Sequence, residues 1–150
     1  MNLVRINDFN IDDEEAFHGM VKLFYESGAV HNEINEINIK NTFANCINGS
    51  PYVRGVFLCC DNQTCGYALL TFSYSNEFGG KVMEIDEIYI KPMFRNRGLA
   101  SHFISQIFEE YKNDIINVSI IVKKDNKAAI NLYKKLNFKF SDYLSMYKFL

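Results

Sequence analysis

The stretch IYIKPMFRNRGLASHF, residues 88–103, decides how the rest of the chain is read. It opens as a strand and stops at Pro92, which has no N–H to give to a sheet ladder. Arg95, Asn96 and Arg97 follow, then Gly98, Leu99 and the small residues Ala100 and Ser101. Helical spacing begins at once, with Leu99, Phe103, Ile104, Ile107, Phe108 and Tyr111 on one stripe. A strand feeding a glycine turn and a helix N-terminus is a general anion cradle. The first N–H groups of the helix lack partners, and its dipole points the same way.

Working outward, KVMEIDEIYI (81–90) makes that strand a long one, and the helix runs to about Lys112. NVSIIVKK (117–124) is the nearly continuous apolar run expected of a parallel strand covered on both faces. NKAAINLYKKL (126–136) reads as a helix, and FKF (138–140) and LSMYKFL (144–150) as terminal strands. Toward the N-terminus, LVRI (3–6) is a short strand. Asn10 or Asp12 caps a helix through about Glu26, closed by Gly28, and residues 32–47 make a second, weaker one. YVRGVFLCC (52–60), a DNQT turn and CGYALLTFSYS (65–75) form a hairpin, and NEFGG (76–80) turns into the long strand. The order β-α-α-β-β-β-α-β-α-β-β predicts a single α/β domain over 1–150 with a mixed sheet.

Composition narrows the function. The chain has 150 residues, 48% of them hydrophobic, which is enough for one core and excludes disorder. The longest apolar runs are too short to span a bilayer. No cationic and apolar leader opens the sequence, so the expected location is the cytoplasm. Cys46, Cys59, Cys60 and Cys65 have no metal-ligand spacing and read as reduced core thiols, with Cys59 and Cys60 on opposite faces of one strand. No metal is expected. Net charge is −2, unevenly spread: residues 1–50 hold three basic against eight acidic side chains, and residues 51–150 hold thirteen against ten. An acidic chain without a basic stripe excludes a nucleic-acid partner. The asymmetry points to an anionic ligand on the later part and a cationic one near the first.

The two common glycine-loop phosphate binders are absent. The only Gly-Lys pair is Gly80-Lys81, with Ser75 where a Walker loop needs its first glycine, and Gly98 stands without the other glycines of a dinucleotide fingerprint. What remains is R-x-x-G-x-A, followed by NKAAINLYKKLNFK (126–139). These two stretches resemble the paired signatures of the GNAT N-acetyltransferase superfamily, Q/R-x-x-G-x-G/A after the fourth strand and N-x-x-A-x-x-x-Y-x-x-x-G-F. The element order matches as well. Ala100 is a permitted variant. Asn137 replaces a glycine at a helix end that probes left-handed geometry, which Asn tolerates.

The resemblance implies a mostly antiparallel central sheet with helices on both faces, splayed between strands 81–90 and 117–124, and acetyl-CoA as cosubstrate. The backbone of Arg97, Gly98, Leu99, Ala100 and Ser101 would wrap the pyrophosphate, with Asn96 in the same loop and charge from Arg95 and Arg97. Ile88, Tyr89 and Ile90 would line the pantetheine arm, with Asn126 and Ala129 on its other side. Tyr133 would protonate the leaving thiolate, and Asp86, then Glu84, would serve as base or water-holder. By strand alternation, Glu84, Asp86, Ile88 and Ile90 share one face, and Met83, Ile85, Glu87 and Tyr89 the other. Glu87 then reads as structural or as an exposed partner.

The acidic first third, and a likeness of GYALLTFSYSNEFGGKVMEIDEIYI (66–90) to the diamine and polyamine branch, favour a small cationic amine as acceptor. Tyr25, Glu26, Phe72 and Tyr74 are candidate liners of its pocket. A protein amine, an aminoglycoside, or a non-catalytic acyl-CoA sensor are the alternatives. The resemblance leaves a homodimer open.

Overall fold

The computed structural model describes residues 4–150, so Leu3 of the first expected strand lies outside the described residues. The elements are β1 (Arg5–Asp8), α1 (Glu14–Glu26), α2 (Glu36–Ile47), β2 (Val53–Cys60), β3 (Gln63–Ser75), β4 (Gly80–Ile90), α3 (Leu99–Tyr111), β5 (Asn117–Ile120) and α4 (Lys127–Lys135). They form one sheet in the order β1-β2-β3-β4-β5, antiparallel except for the β4–β5 pair.

Local chemistry sets the boundaries. Asn10 caps a single 3₁₀ turn before α1: its side chain accepts from the Asp12 N–H while the Asp13 carboxylate accepts from the Asn10 N–H. Asn35 caps α2 with its side chain alone, accepting from the N–H groups of Ile37 and Asn38. The β2–β3 turn is Asp61-Asn62, both left-handed, with φ of 51° and 59°. That matches the twist of a two-residue hairpin, and short polar side chains tolerate it.

Helices cover both faces of the sheet. On one, α3 and α4 pack Leu99, Phe103, Ile104, Ile107 and Tyr133 against Val56, Leu58, Leu70, Met83 and Ile85. On the other, α1 and α2 pack Phe17, Met20, Phe24 and Phe43 against Phe57, Tyr67, Leu69 and Tyr89. Cys59 falls in the second core and Cys60 in the first, and all four thiols are free. Among the described residues no helix is long and apolar enough to cross a membrane.

Three expectations are corrected. First, β4 does not alternate evenly. Leu69 lies opposite Glu87 and Leu70 opposite Ile85, so Asp86 is an extra residue, a β-bulge. The bulge resets the parity: Met83, Ile85, Ile88 and Ile90 all pack toward α3 and α4, while Glu87 and Tyr89 turn toward α1 and α2. Glu84 and Ile88 therefore do not share a face. Second, β5 is four residues long and does not reach 124. Its pairing stops at Ile85 opposite Ile120, where the bulge bends β4 away, and Ile121 is exposed. Third, the two terminal strands are not formed: residues 138–150 are neither strand nor helix, because nothing pairs with them.

Candidate active site

The bulge opens the sheet. Beyond Ile85 and Ile120 the two parallel strands have no further pairing, so one edge of residues 86–90 is left free. Which groups point into the gap follows from alternation. The Lys91 N–H donates across to Cys65 O on β3, so the N–H groups of Ile88 and Ile90 face the other way, into the gap.

At the end of β4, a 3₁₀ turn at Pro92–Phe94 leads to Gly98, which precedes α3 with φ of 73°. This left-handed region suits glycine. A side chain on Gly98 would meet no atom within 4 Å, so that space is open to a ligand. No side chain caps α3. Its first N–H groups therefore point into the opening with the positive end of the dipole.

Across the gap stands α4. Asn126 caps it, its side-chain oxygen accepting from the Ala129 N–H at 3.2 Å. At the far end Asn137 is left-handed, with φ of 66°. The Phe138 N–H bonds to Tyr133 O and the Asn137 N–H to Lys134 O, the paired bonds of a Schellman ending. Phe138 then sets its ring against Tyr133, edge to face, 5.8 Å between centroids. Tyr133 is thereby held, 8% exposed, with burial pushing its phenol pKa upward. It remains a proton donor at neutral pH, and it lines the cleft.

The loop and helix signatures, far apart in sequence, wall a single cleft of about 860 Å³. Ile88, Tyr89, Ile90, Arg95, Asn96, Gly98, Leu99, Ala100, Ser101, Asn126, Ala129 and Tyr133 all line it. Arg97 does not: its guanidinium is turned toward Asp61 at 3.8 Å and lies over the Phe94 ring. The Arg95 side chain donates to Ile90 O at 2.9 Å and lies over Tyr89, so it braces the β4 end. Sequence reasoning did not find Lys123, whose ammonium donates to Gly28 O at 2.9 Å and ties the loop after α1 to the chain after β5.

The carboxylates sit at the bulge rather than in the cleft wall. Glu84 accepts from Ser119 at 3.3 Å, and burial followed by the Asp86 charge raises its pKa. The Asp86 side chain reaches water at its tip, and partial burial of the carboxylate pushes its pKa upward too. Of the two alternatives that the sequence leaves for Glu87, structural or an exposed partner, the fold has the first: it is buried at 9% exposure. Its carboxylate accepts from Tyr67 at 2.7 Å and, more loosely, from Tyr25 at 3.4 Å. Burial dominates these bonds and pushes its pKa from 4.5 to about 7. The available signal was the adjacent Asp86-Glu87 pair, which breaks the apolar alternation of 83 and 85 with 88 and 90 where the bulge falls.

Of the other expected pocket liners, Phe72 packs beside Tyr111 on the α3 face and Tyr74 is 73% exposed. The acids Asp12, Glu14, Glu15 and Glu36 surround a separate shallow pocket between α1 and α2, where Glu36 pairs with His18 and Lys22. Among the described residues no three His, Cys, Asp or Glu side chains are grouped to hold a metal.

Fold and cleft together define an acyltransferase-type scaffold, and the chain belongs to the Acetyltransferase (GNAT) family, whose model matches residues 15–138. It is 35% identical over 72 residues to the thialysine N-epsilon-acetyltransferase of Bos taurus, covering 47% of this chain and 42% of that protein. The chain spans less than half the length of the curated relatives it matches. In fold it resembles a possible acetyltransferase from Clostridium difficile 630, with a TM-score of 0.81, 18% identity, and 99% and 97% of the two chains covered. It also resembles AAC(6')-Iy in complex with a CoA-S-monomethyl-acetylneamine bisubstrate analogue, with a TM-score of 0.77, 16% identity and 98% of each chain covered.

Proposed function

We propose that this domain transfers the acetyl group of acetyl-CoA directly to a primary amine, in a complex holding both substrates. One observation carries the reading: a single cleft unites free helix N–H groups at Gly98, an unpaired strand edge at Ile88 and Ile90, and the buried phenol of Tyr133. Each wall fits a different part of the cosubstrate. The N–H groups at the start of α3 suit the pyrophosphate. The open edge of β4 suits pantetheine, whose two amides pair with it as an added strand does. The Ile90 N–H, directed into the gap, suits the thioester oxygen as charge develops there.

The acetyl group is supplied as a thioester. The amine must attack as the free base, and an alkyl ammonium with a pKa of about 10.4 must first lose a proton. Asp86 or Glu84, at the bulge and open to water, accepts it directly or through water. The nitrogen then bonds to the carbonyl carbon, the carbon–sulfur bond breaks, the Tyr133 phenol gives its proton to the departing thiolate, and the second proton shed by the nitrogen as it becomes an amide passes through water to restore the phenol. We place the domain in the cytoplasm, where its four thiols stay reduced, and invoke no metal.

For the acceptor we propose a small cationic amine, such as a polyamine or an amino acid with a side-chain amine. The carboxylates of Glu84 and Asp86 at the bulge and the thialysine acetyltransferase relative support it. The test is thiol release from acetyl-CoA with polyamines, amino acids, peptides and aminoglycosides as acceptors. Turnover with a small amine is expected. Binding of acetyl-CoA, seen as a raised melting temperature, without turnover on any of them would instead make the domain a sensor. Absence of both would overturn the cofactor reading.

A further inference from the structure

The charged side chains that line the cleft are Arg95, Lys123, Asp125 and Lys135. Two of the cations belong to the side of the sheet that carries α3 and α4: Arg95 braces the end of β4, and Lys135 stands in the last turn of α4. Lys123 does not. Ile120 and Val122 turn into the core under α3 and α4, so alternation sends the Lys123 side chain to the opposite face. There its ammonium donates to Gly28 O at 2.9 Å, at the loop whose Ala29 and Val30 pack under α1 and α2. Lys123 is half-buried, whereas its neighbour Lys124 is exposed.

This cation lacks an anion. An ammonium carries three N–H groups, and Gly28 O takes one of them. Among the described residues no carboxylate forms an ion pair with Lys123. Asp125, two residues on, is exposed at the start of α4, where the helix dipole favours an acid. A charge drawn out of water without a counter-charge is unfavourable. At a cleft wall, an incoming anion offsets that cost.

We propose that Lys123 binds a carboxylate of the acceptor, so that the acceptor is an amino acid with a side-chain amine rather than a polyamine; this rests on the acetyl transfer proposed above. The N–H groups suited to the cosubstrate's pyrophosphate are on the other side of the sheet, at the start of α3, which leaves the Lys123 face to the second substrate. The two ends of such an acceptor match the two ends of the wall: its amine faces Glu84 and Asp86 at the bulge, and its carboxylate faces Lys123. In the β4–β5 register Ile85 lies opposite Ile120. Asp86 is one residue past that pair and Lys123 three, an offset of about two residues, or roughly 7 Å along the strands. An amino acid of lysine length spans that offset from amine to carboxylate. A polyamine would bring a second cation up to Lys123 and be repelled.

The test compares acceptors that differ only in the carboxylate. L-lysine and S-aminoethyl-L-cysteine are each set beside their carboxamide and their decarboxylated diamine, with thiol release from acetyl-CoA as the readout. The amino acids are expected to show a kcat/KM about tenfold or more above both analogues, which is what one hydrogen bond to a charged group is worth. In Lys123→Met that preference is expected to fall to within about twofold of equality, through KM rather than kcat, while Lys123→Arg keeps it. Loss of a tie that served the fold alone would slow every acceptor alike and leave the preference unchanged. An unchanged preference in Lys123→Met, or equal turnover of amino acids and diamines by the wild-type chain, would overturn the assignment and leave acetyl transfer standing. So would a tenfold loss of acetyl-CoA affinity in Lys123→Met with the preference intact. Turnover of none of these acceptors would overturn the small-amine reading, and this assignment with it.

Discussion

The two faces of the sheet are built from different side chains. Toward α3 and α4 the sheet presents Val56, Leu58, Ala68, Leu70, Met83 and Ile85. Toward α1 and α2 the core is a mesh of rings, Phe9, Phe17, Phe24, Phe43, Phe57, Tyr67 and Tyr89. The aliphatic face borders a cleft whose offered polar groups are mostly backbone, at α3 and along β4. The aromatic face holds the buried carboxyl of Glu87, and it can do so because phenols point at it. A ligand met by N–H groups needs glycine and strand geometry. A buried acid needs hydroxyl partners, since an unpaired one costs several kcal/mol. The bulge at Asp86 joins the two schemes, because it opens the edge on one side and turns Glu87 inward on the other.

The largest expected effect breaks the chemistry on the aliphatic side alone. Tyr133→Phe should lower turnover by about 10²–10⁴-fold while acetyl-CoA binding, followed by calorimetry, changes by no more than about twofold. Equal turnover in the variant would leave that face a binding surface only.

Next in size is the aromatic side. The folded pKa of Glu87 is raised above its ordinary value, from 4.5 to about 7, so the folded state holds the proton more tightly than the unfolded chain. Its contribution is most favourable below pH 4.5 and is lost as pH rises through 7. The loss is at most on the order of 3 kcal/mol. Glu87→Gln removes that dependence and can still accept from Tyr67. In urea titrations the variant should gain stability relative to wild type between pH 5 and pH 8. A constant difference at the two pH values would show that Glu87 is ionised in the fold.

Gly98→Val tests the backbone cradle. Left-handed geometry costs an L-residue about 1–2 kcal/mol, and the new side chain would occupy the opening. Acetyl-CoA affinity should fall at least tenfold in a thermal-shift titration, with Glu87 behaviour unchanged. Intact affinity would refute the loop assignment.

The smallest effect sharpens the placement of Tyr133. Asn137→Ala should cost about 1 kcal/mol through its left-handed φ, whereas Asn137→Gly should be neutral or slightly stabilising. Melting temperatures distinguish them.

Much of the cleft was legible because it is local. Gly98 before an apolar helical stripe, and Asn126 seven residues ahead of Tyr133, are short-range patterns, and the cleft lining contains all three. The left-handed Asn137 was legible for the same reason. The parity of β4 was not. Apolar residues at 83 and 85 and then at 88 and 90 mark an interrupted period at Asp86-Glu87, which a strict alternation overlooks, and the extra residue is fixed only when β3 is laid beside it and Leu69 and Leu70 skip Asp86. The terminal strands failed for a related reason: a strand-like composition makes a strand only where an edge accepts it. The acidic first third likewise suggested a cationic ligand, yet four of its eight acids surround a second pocket away from the cleft.

By itself, the sequence determined the element order, the helix caps and the two motifs, because each is written in neighbouring residues through dihedral preference and hydrophobic period. Tertiary pairing decided where β4 bends, which carboxyl is buried, and that two motifs about 30 residues apart face one opening. A bulge is a relation between two strands, and a buried charge is a relation between an acid and the distant hydroxyls that make its burial tolerable.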